Sequence, residues 1–527
     1  MKIIRIADGS ATRPSAETVG AKAANLAHIA ALGVPVPPAF VLPVRLCTAV
    51  INGERQAGDR VAEGLEQGIA FLEQATGRKF GDSRCPLLVS VRSGAARSMP
   101  GMLETVLNVG CSPAAVQGLL RRTGNPRFAW DCRRRFLESF GSVVLGIDAA
   151  VFARARGEIA ADEDVREDAL DSEASERLAR RYRDMIAAEE GALPEEPMEQ
   201  LMAAAQAVYR SWMSNRAQTY RKLQHLEALA GTAVTVQAMV YGNRSSNSGA
   251  GVAFSRDPST GAAAPVIDVL FESQGEDVVS GSRTPENEQA IVRRLPRVAT
   301  QLRETLMALE REFADVQDVE FTIEDGQLHI LQTRAAKRTP LAALRFAVDL
   351  VREGRIEPPQ ALRLLQDIDL AALTRTRLAS TAEAAARGIA ASAGIAVGRA
   401  AFESARATRL AEAGDPVILM RPDTSTADVA GFSAAAGIVT AIGGRTAHAA
   451  LVARQMGKPC IVGCAALKVR EAAREADLGG DVIREGDWLS IDGEAGTIFR
   501  GRLETVVERP EAELAEVASW RQQHHAA

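Results

Sequence analysis

The chain has 527 residues, with 62 lysines and arginines against 67 aspartates and glutamates and a formal net charge of −5 at pH 7. Hydrophobic residues make up 46% and aromatic residues only 4%, which argues against a basic nucleic-acid face and against a platform for stacking bases. At roughly 150 residues per domain, this length predicts about three domains, each able to bury its own core. Six cysteines without dense spacing predict thiols in a reducing compartment. The N-terminal text MKIIRIADGSA lacks a basic region followed by an apolar run, and no stretch of about 18 apolar residues occurs, so a soluble, cytoplasmic protein with no membrane partner is expected.

The first clear element is the alanine-rich text AKAANLAHIAAL, which predicts a helix stopped by Gly33 and then by Pro35, Pro37 and Pro38. A helix starting after Gly20 presents backbone N–H groups and Lys22 to an anion. Leu87 to Val91 reads as an apolar strand that runs into a loop with Gly94, Pro100 and Gly101, flanked by Arg92 and Arg97, a place where backbone can approach a phosphate. From about Ala160 to Ala230 the pattern is helical and strongly charged, a solvated face. Arg133 to Arg135 read as a helix face or an interdomain contact. Strand patterns return at Thr232 to Tyr241 and at Gly251 to Phe254.

Two alternating runs surround Glu324-Asp325-Gly326 in DVEFTIEDGQLHILQTR. Asp318 and Glu320 are two apart, so on a strand both carboxylates point to one face. A three-residue loop with Gly326 left-handed would bring Gln332 and Arg334 to that same face, whereas a two- or four-residue loop would put them on the other. Two carboxylates and an amide oxygen on one face make a hard-oxygen Mg²⁺ site, with Arg334 available to phosphate.

Residues 341 to about 385 read as a helical linker, and a new unit of short strands begins near Ile389 and closes with WLSIDGEAGTIFRG. After Pro510 a charged helical tail ends the sequence. Cys460 and Cys464 lack a second ligand pair and read as core residues. Within this unit lies GGRTAHAALVARQMGKPCIVG, residues 443–463. Gly443 and Gly444 turn the chain sharply into a helix whose first turn holds His448. There the helix N-terminus keeps an imidazole neutral and stabilises a phosphoryl group once attached, and Ala449 and Ala450 leave room for phosphate.

This last segment resembles the phosphohistidine signature of the dikinases that use or make phosphoenolpyruvate. The stretches VGAKAANLAHIAALGVPVPPAF, PLLVSVRSGAARSMPGMLETVLNVG, TGNPRFAWDCRRRFLESFGSVVLGI, GTAVTVQAMVYGN, SGAGVAFSRDPSTG and QGEDVVSGSRTP resemble the pyruvate, phosphate dikinase family, in that family's order. The resemblance implies an α/β multidomain chain: an ATP-grasp nucleotide-binding domain over 1–340, the helical linker 341–385, a swivelling phosphohistidine β/β/α domain over 386–505 and a tail over 506–527. It implies that Lys22 and Arg92 meet the phosphates of ATP and act with His448 in catalysis. Ser98 to Thr105, with Gly101, Met102 and Thr105, match the loop over the phosphates; Gln237, Met239 and Val240 match the hinge against adenine. Asp318, Glu320 and Gln332 match the Mg²⁺ ligands, and Gln332 and Arg334 the phosphate contacts.

The text departs from the family at Ala21, Ala23, Glu104, Ala447 and Ala393, and Thr446 occupies a position that some members regulate by phosphorylation. The family continues into a barrel that binds pyruvate or phosphoenolpyruvate, and this sequence stops before it. The resemblance therefore implies the nucleotide half-reaction, ATP and phosphate with His448 giving AMP, pyrophosphate and phospho-His448, with the acceptor on a separate acceptor-domain protein. The alternative is a non-catalytic nucleotide-sensing paralogue that regulates a full-length dikinase.

Overall fold

The computed structural model describes residues 3–10, 12–97, 99, 102–189, 193–280, 283–379, 382–423, 428–445 and 447–526, and the side chains of 279, 280, 429, 448 and 524–526 are outside this description. The chain divides into two compact units, residues 1–245 with 329–333, and residues 246–328 with 334–527. The division falls within the stretch read from sequence as one nucleotide-binding domain.

In the first unit, β-branched and aromatic runs make a five-stranded antiparallel sheet in the order Ile4–Ile6, Ala39–Leu42, Ala233–Ala238, Val89–Gly94, Thr105–Val109. The neighbouring interior strands Ala39–Leu42 and Ala233–Ala238 are fully buried, as expected of hydrophobic runs covered on both faces. The helix Arg55–Thr76 lies over Phe40, and a Cβ at Gly68 would come within 2.4 Å of that ring, so glycine lets helix and sheet close together. It ends at Gly77, left-handed at φ 66°, whose N–H donates to Glu73 O. The helix Pro126–Val143 begins where Asn125 Oδ1 accepts from Phe128 N, with proline at the first turn. On it Arg134 and Arg135 are turned inward and share Asp131. The charged stretch after Ala149 is helical, in segments Ala149–Asp162, Ser172–Glu189, Pro197–Ser211 and Asn215–Leu223.

The second unit starts with a five-stranded sheet in the order Glu286–Asn287, Val266–Phe271, Gly249–Phe254, Gln317–Glu324, Gln327–Ala335. An eight-stranded mixed sheet follows, ordered Ala386–Arg387, Thr497–Arg500, Trp488–Asp492, Ile395–Ala401, Val417–Arg421, Gly437–Thr440, Cys460–Val462, Ile389–Ser392. Four consecutive strands of it, from Ile395–Ala401 to Cys460–Val462, are parallel, because helices Ser404–Glu412, Val429–Ala434 and His448–Gln455 carry the crossovers. Such a layout opens ligand sites outside the carboxyl ends of the strands. Cys460 and Cys464 are buried in the cores of this layer.

Between the two sheets the chain is helical only as far as Leu364; Arg375–Leu378 then pairs antiparallel with Thr505–Glu508. The C-terminal helix Glu511–Ala526 is packed, with Val517 and Trp520 buried among Leu344, Val348 and Leu365 and Arg352 bonded to Glu516 at 2.7 Å. Among the described residues no helix is long and apolar enough to cross a membrane.

Candidate functional site

The helix Ala21–Ala31 is seated on the end of the strand Val89–Gly94. Gly20 sits at φ 82°, and a Cβ there would lie 2.3 Å from Gly94 O, so both backbone angle and contact demand glycine. Ala21 N donates to Ala95 O at 2.9 Å, and Lys22 follows as the second helical residue. Asn25 Nδ2 donates to Thr333 O at 3.2 Å, fastening the first helical turn further. Ala23 is buried, so one of the alanines that departs from the family pattern packs into the core.

Strand register then sorts the neighbours of Lys22. Arg92 is directly opposite Thr105 on one side and Thr235 on the other, and Ser90 is opposite Gln237. Opposed residues share a face, so Arg92, Thr105 and Gln237 are brought to one face of this sheet. Gln237 is buried and its Nε2 donates to Pro37 O at 3.1 Å. Met239 and Val240 follow the strand; Met239 is buried, Val240 half-buried, and Met239 N donates to Leu88 O at 3.0 Å. Met102 is half-buried in the turn closed by its N–H to Met99 O at 3.2 Å, whereas Ser98 and Gly101 lie outside the described residues. Glu104 accepts from Arg216 Nη2 at 2.6 Å.

In the second unit the strand Gln317–Glu324 carries Asp318 buried and Glu320 half-buried, two apart as the alternation requires. The loop to the next strand is the two-residue kind, Asp325 and Gly326 both left-handed at φ 49° and 78°. A regular ladder from that turn would put both Gln332 and Arg334 on the face opposite the carboxylates, against the expectation of a three-residue loop. Arg334 lies near the end of the sheet's edge strand, however, and its long side chain reaches Asp318, Nε to Oδ2 at 2.8 Å, and comes within 3.9 Å of Glu320. Gln332 is buried on that strand and belongs to the first unit. Asp318 Oδ1 is buried without a hydrogen-bond partner. Burial pushes the Asp318 carboxyl up from the usual range, and Arg334 only partly offsets this. A buried carboxylate oxygen that no protein donor satisfies, beside a second carboxylate, fits a hard divalent cation such as Mg²⁺.

The helix His448–Gln455 opens directly after the Gly443–Gly444 turn at the carboxyl end of the strand Gly437–Thr440. Gly443 has φ 119°, and Ala447 N donates to Gly444 O at 3.0 Å. Ala447 is the N-cap and offers no side-chain acceptor, which leaves the first N–H groups of the helix to other partners. The side chain of His448 and all of Thr446 lie outside the described residues. Ala449 and Ala450 are fully buried, so their small size serves packing against the sheet rather than an opening for phosphate.

Three residues that the sequence reading did not single out tie this helix to the carboxylate sheet. Arg454 is 2% exposed, with its guanidinium 5.3 Å from the Phe254 ring centre; Nε donates to Ala450 O at 3.3 Å and Nη2 to Arg445 O. Burial lowers its pKa, and the charge of Asp318 is the largest influence in the other direction. Arg445 pairs with Asp268 at 2.7 Å. The sequence signal was an arginine six residues beyond His448 on a helix otherwise packed with alanine and valine.

Residues 57–298 match a family model described as pyruvate phosphate dikinase, AMP/ATP-binding domain, and residues 413–496 match one described as PEP-utilising enzyme, mobile domain. The second match contains the Gly443–Gly444 turn and His448; Lys22 and the strand of Asp318 fall outside both. The chain is similar to the pyruvate, phosphate dikinase of Clostridium symbiosum, 42% identical over 498 residues that cover 92% of this chain and 56% of that protein. Similar too are the pyruvate, phosphate dikinase of Rhizobium meliloti, 38% identical over 98% of this chain and 59% of that protein, and pyruvate, phosphate dikinase 2 of Zea mays, 39% identical over 96% and 58%. The chain spans about half the length of the curated relatives it matches.

Proposed function

Because the chain belongs, over the residues matched, to the pyruvate, phosphate dikinase family, we propose that residues 1–527 carry out the nucleotide half of a dikinase reaction. ATP, inorganic phosphate and His448 give AMP, pyrophosphate and phospho-His448. The phosphoryl group then passes to pyruvate or another acceptor held outside these residues.

In this reading Met239 and Val240 border the adenine, with Gln237 supporting them from beneath. Lys22, Arg92 and Arg334 bind and orient the phosphates, Met102 belongs to the loop that covers them, and Thr105 opens the strand that follows it. Asp318 and Glu320 would hold Mg²⁺, which neutralises triphosphate charge when bound. The imidazole of His448, neutral at the helix N-terminus, forms a bond to the β-phosphorus as the bond from that phosphorus to the AMP oxygen breaks. The proton of the attacking imidazole is lost to solvent. Inorganic phosphate then takes the γ-phosphoryl, the β–γ bridging bond breaks, pyrophosphate leaves, and the β-phosphoryl stays on His448.

The observation that carries the reading is Arg454: on the helix that begins at His448, its buried guanidinium lies 5.3 Å from the centre of the Phe254 ring, and Phe254 stands directly opposite Asp318 on the neighbouring strand, which brings nucleophile helix and carboxylate strand together. The test is incubation with Mg²⁺ and β-labelled ATP, with and without phosphate, beside His448→Asn. Acid-labile label on the protein and AMP release, both lost in the variant, are expected. ATP binding without label or AMP would overturn the half-reaction.

A further inference from the structure

The edge strand Thr105–Val109 is not regular. Val106 stands opposite Val91 and Val109 opposite Val89, so two residues, Leu107 and Asn108, share the single partner Ser90 in a β-bulge. Asn108 is left-handed at φ 54°, and the backbone is anchored there: its carbonyl accepts from Cys111 N at 3.1 Å, and Gly110 N donates to Gln200 Oε1 at 3.1 Å. Its side chain has no such anchors. Asn108 is fully buried, yet neither Nδ2 nor Oδ1 has a hydrogen-bond partner among the described residues. A buried amide with donor and acceptor both unused costs stability, and the left-handed angle alone does not call for one, because glycine adopts it freely.

Strand register shows what the bulge adjoins. Ser90 is opposite Gln237 on its other side, so Gln237, Ser90 and the bulge make one row across three neighbouring strands. Ser90 and Gln237 are buried as well, and the Gln237 amide already donates to Pro37 O. The next row on that face is Arg92 with Thr105 and Thr235, two residues along the strand, or roughly 6.6 Å. That is about the step from the phosphates of a nucleotide to its base. With Arg92 at the phosphates, the row of Gln237, Ser90 and Asn108 stands at the level of the base, and it is the row nearer to Met239 and Val240 in the chain.

We propose that Asn108 is a specificity-determining residue for the base: its Oδ1 accepts from the 6-amino group of adenine while its Nδ2 donates to N7. The inference rests on the nucleotide site of the proposed half-reaction. A carboxamide and this edge of adenine match donor to acceptor twice, the bidentate pairing open to asparagine. A 6-oxopurine cannot complete it. That base shows two acceptors along the same edge, so whichever way the amide is turned, one acceptor faces another, and a buried place has no water to relieve the mismatch. Access requires a covering side chain to move, and Met99 and Met102, unbranched and packed on the same core, are suited to that.

The test is equilibrium titration of the full chain, with Mg²⁺ present, by ATP, inosine triphosphate, 7-deaza-ATP and 2′-deoxy-ATP, for the wild type, Asn108→Gly and Asn108→Ala. Both variants remove the amide; glycine keeps the left-handed angle, and alanine stands in if glycine loosens the bulge. The wild type is expected to prefer ATP to inosine triphosphate and to 7-deaza-ATP by at least about fivefold each, and the variants by less than about twofold, with the ratio of ATP to 2′-deoxy-ATP the same in all three. Folded variants that keep the wild-type preferences would overturn the assignment and reduce Asn108 to a former of the bulge. A change confined to 2′-deoxy-ATP would move the amide to the ribose and overturn it too. Equal wild-type affinity for ATP and 7-deaza-ATP does the same without any variant. If the wild type binds no ATP, the nucleotide site fails and the inference with it; if it binds ATP but takes no label on His448, the half-reaction alone fails and the titrations still decide the base contact.

Discussion

Arg334 donates to one oxygen of Asp318 at 2.8 Å while the other oxygen, Oδ1, is buried with no hydrogen-bond partner. An ion pair complete on both oxygens would be a structural feature; a buried oxygen left unsatisfied costs stability and is a natural ligand for a hard cation. Asp318→Asn is therefore expected to weaken Mg²⁺ binding by at least about tenfold, the loss seen even for outer-shell partners of a metal. Titration calorimetry with Mg²⁺ and a nucleotide measures it, and unchanged affinity would remove Asp318 from the metal site.

The same carboxyl carries a pH signature. Its folded-state pKa is raised by burial, so without Mg²⁺ the folded chain binds more protons than the unfolded one. This group then contributes stability at low pH that declines as pH rises from the unfolded value through the raised one. Mg²⁺ affinity runs the other way and falls as pH drops through the raised value, because proton and metal compete. Both slopes should disappear in Asp318→Asn, read by denaturant melts and Mg²⁺ titrations across that window.

Gly20→Ala tests the seat of Lys22. At φ 82° and ψ 153° an alanine is strained, and its Cβ would meet Gly94 O at 2.3 Å. Relief requires the helix Ala21–Ala31 to back away from the strand that carries Arg92. A stability loss of about 2 kcal/mol and ATP affinity at least roughly tenfold weaker are expected, measured by urea unfolding and nucleotide titration. Full affinity in a folded variant would show that the helix N-terminus does not seat the phosphates.

Asp131 tests the scaffold away from the chemistry. Burial acts to raise its pKa, but Arg135 and Arg134 overcome burial and hold the carboxyl well below the usual range. Its stabilising contribution is complete above the unfolded value of about 4 and is lost as pH falls through the depressed one. Asp131→Asn leaves two inward arginines without their shared partner, and Asn243 loses its acceptor at 2.8 Å. A loss of about 3 kcal/mol at neutral pH, with a flatter pH profile below about 5, is expected in urea unfolding.

Local chemistry carried much of this in the sequence. The alternation that pairs Asp318 with Glu320, the Gly-Gly turn before His448 and the helix start after Gly20 each depend on a few adjacent residues, and the structure has all three. The Asp325–Gly326 turn was visible, but its two-residue length was not, because Asp-Gly followed by alternating residues suits either loop. Contacts across long separations were beyond reach: nothing near Arg445 points to Asp268, 177 residues earlier, and the charged C-terminal text conceals that Val517 and Trp520 are core residues. Ala449 and Ala450 misled because small residues serve tight packing as readily as ligand access.

Arg454→Lys probes the link between the two halves of the site. The guanidinium donates to Ala450 O and to Arg445 O and lies over the Phe254 ring, all while 2% exposed. A lysine ammonium is a more strongly hydrated point charge on a shorter reach and cannot meet both carbonyls and the ring from one position. Burial already disfavours the charge of Arg454, with Asp318 the largest influence opposing that shift, so a lysine there is expected to lose its proton more readily and with it the field at Asp318. The start of the His448 helix should loosen at the same time, because the carbonyl of Arg445 loses its donor. Label transfer from ATP is expected to fall by at least about tenfold, with stability lowered by on the order of 2 kcal/mol. Single-turnover labelling beside urea unfolding separates the two effects: a variant that is destabilised yet transfers label at the wild-type rate would reduce Arg454 to a packing role.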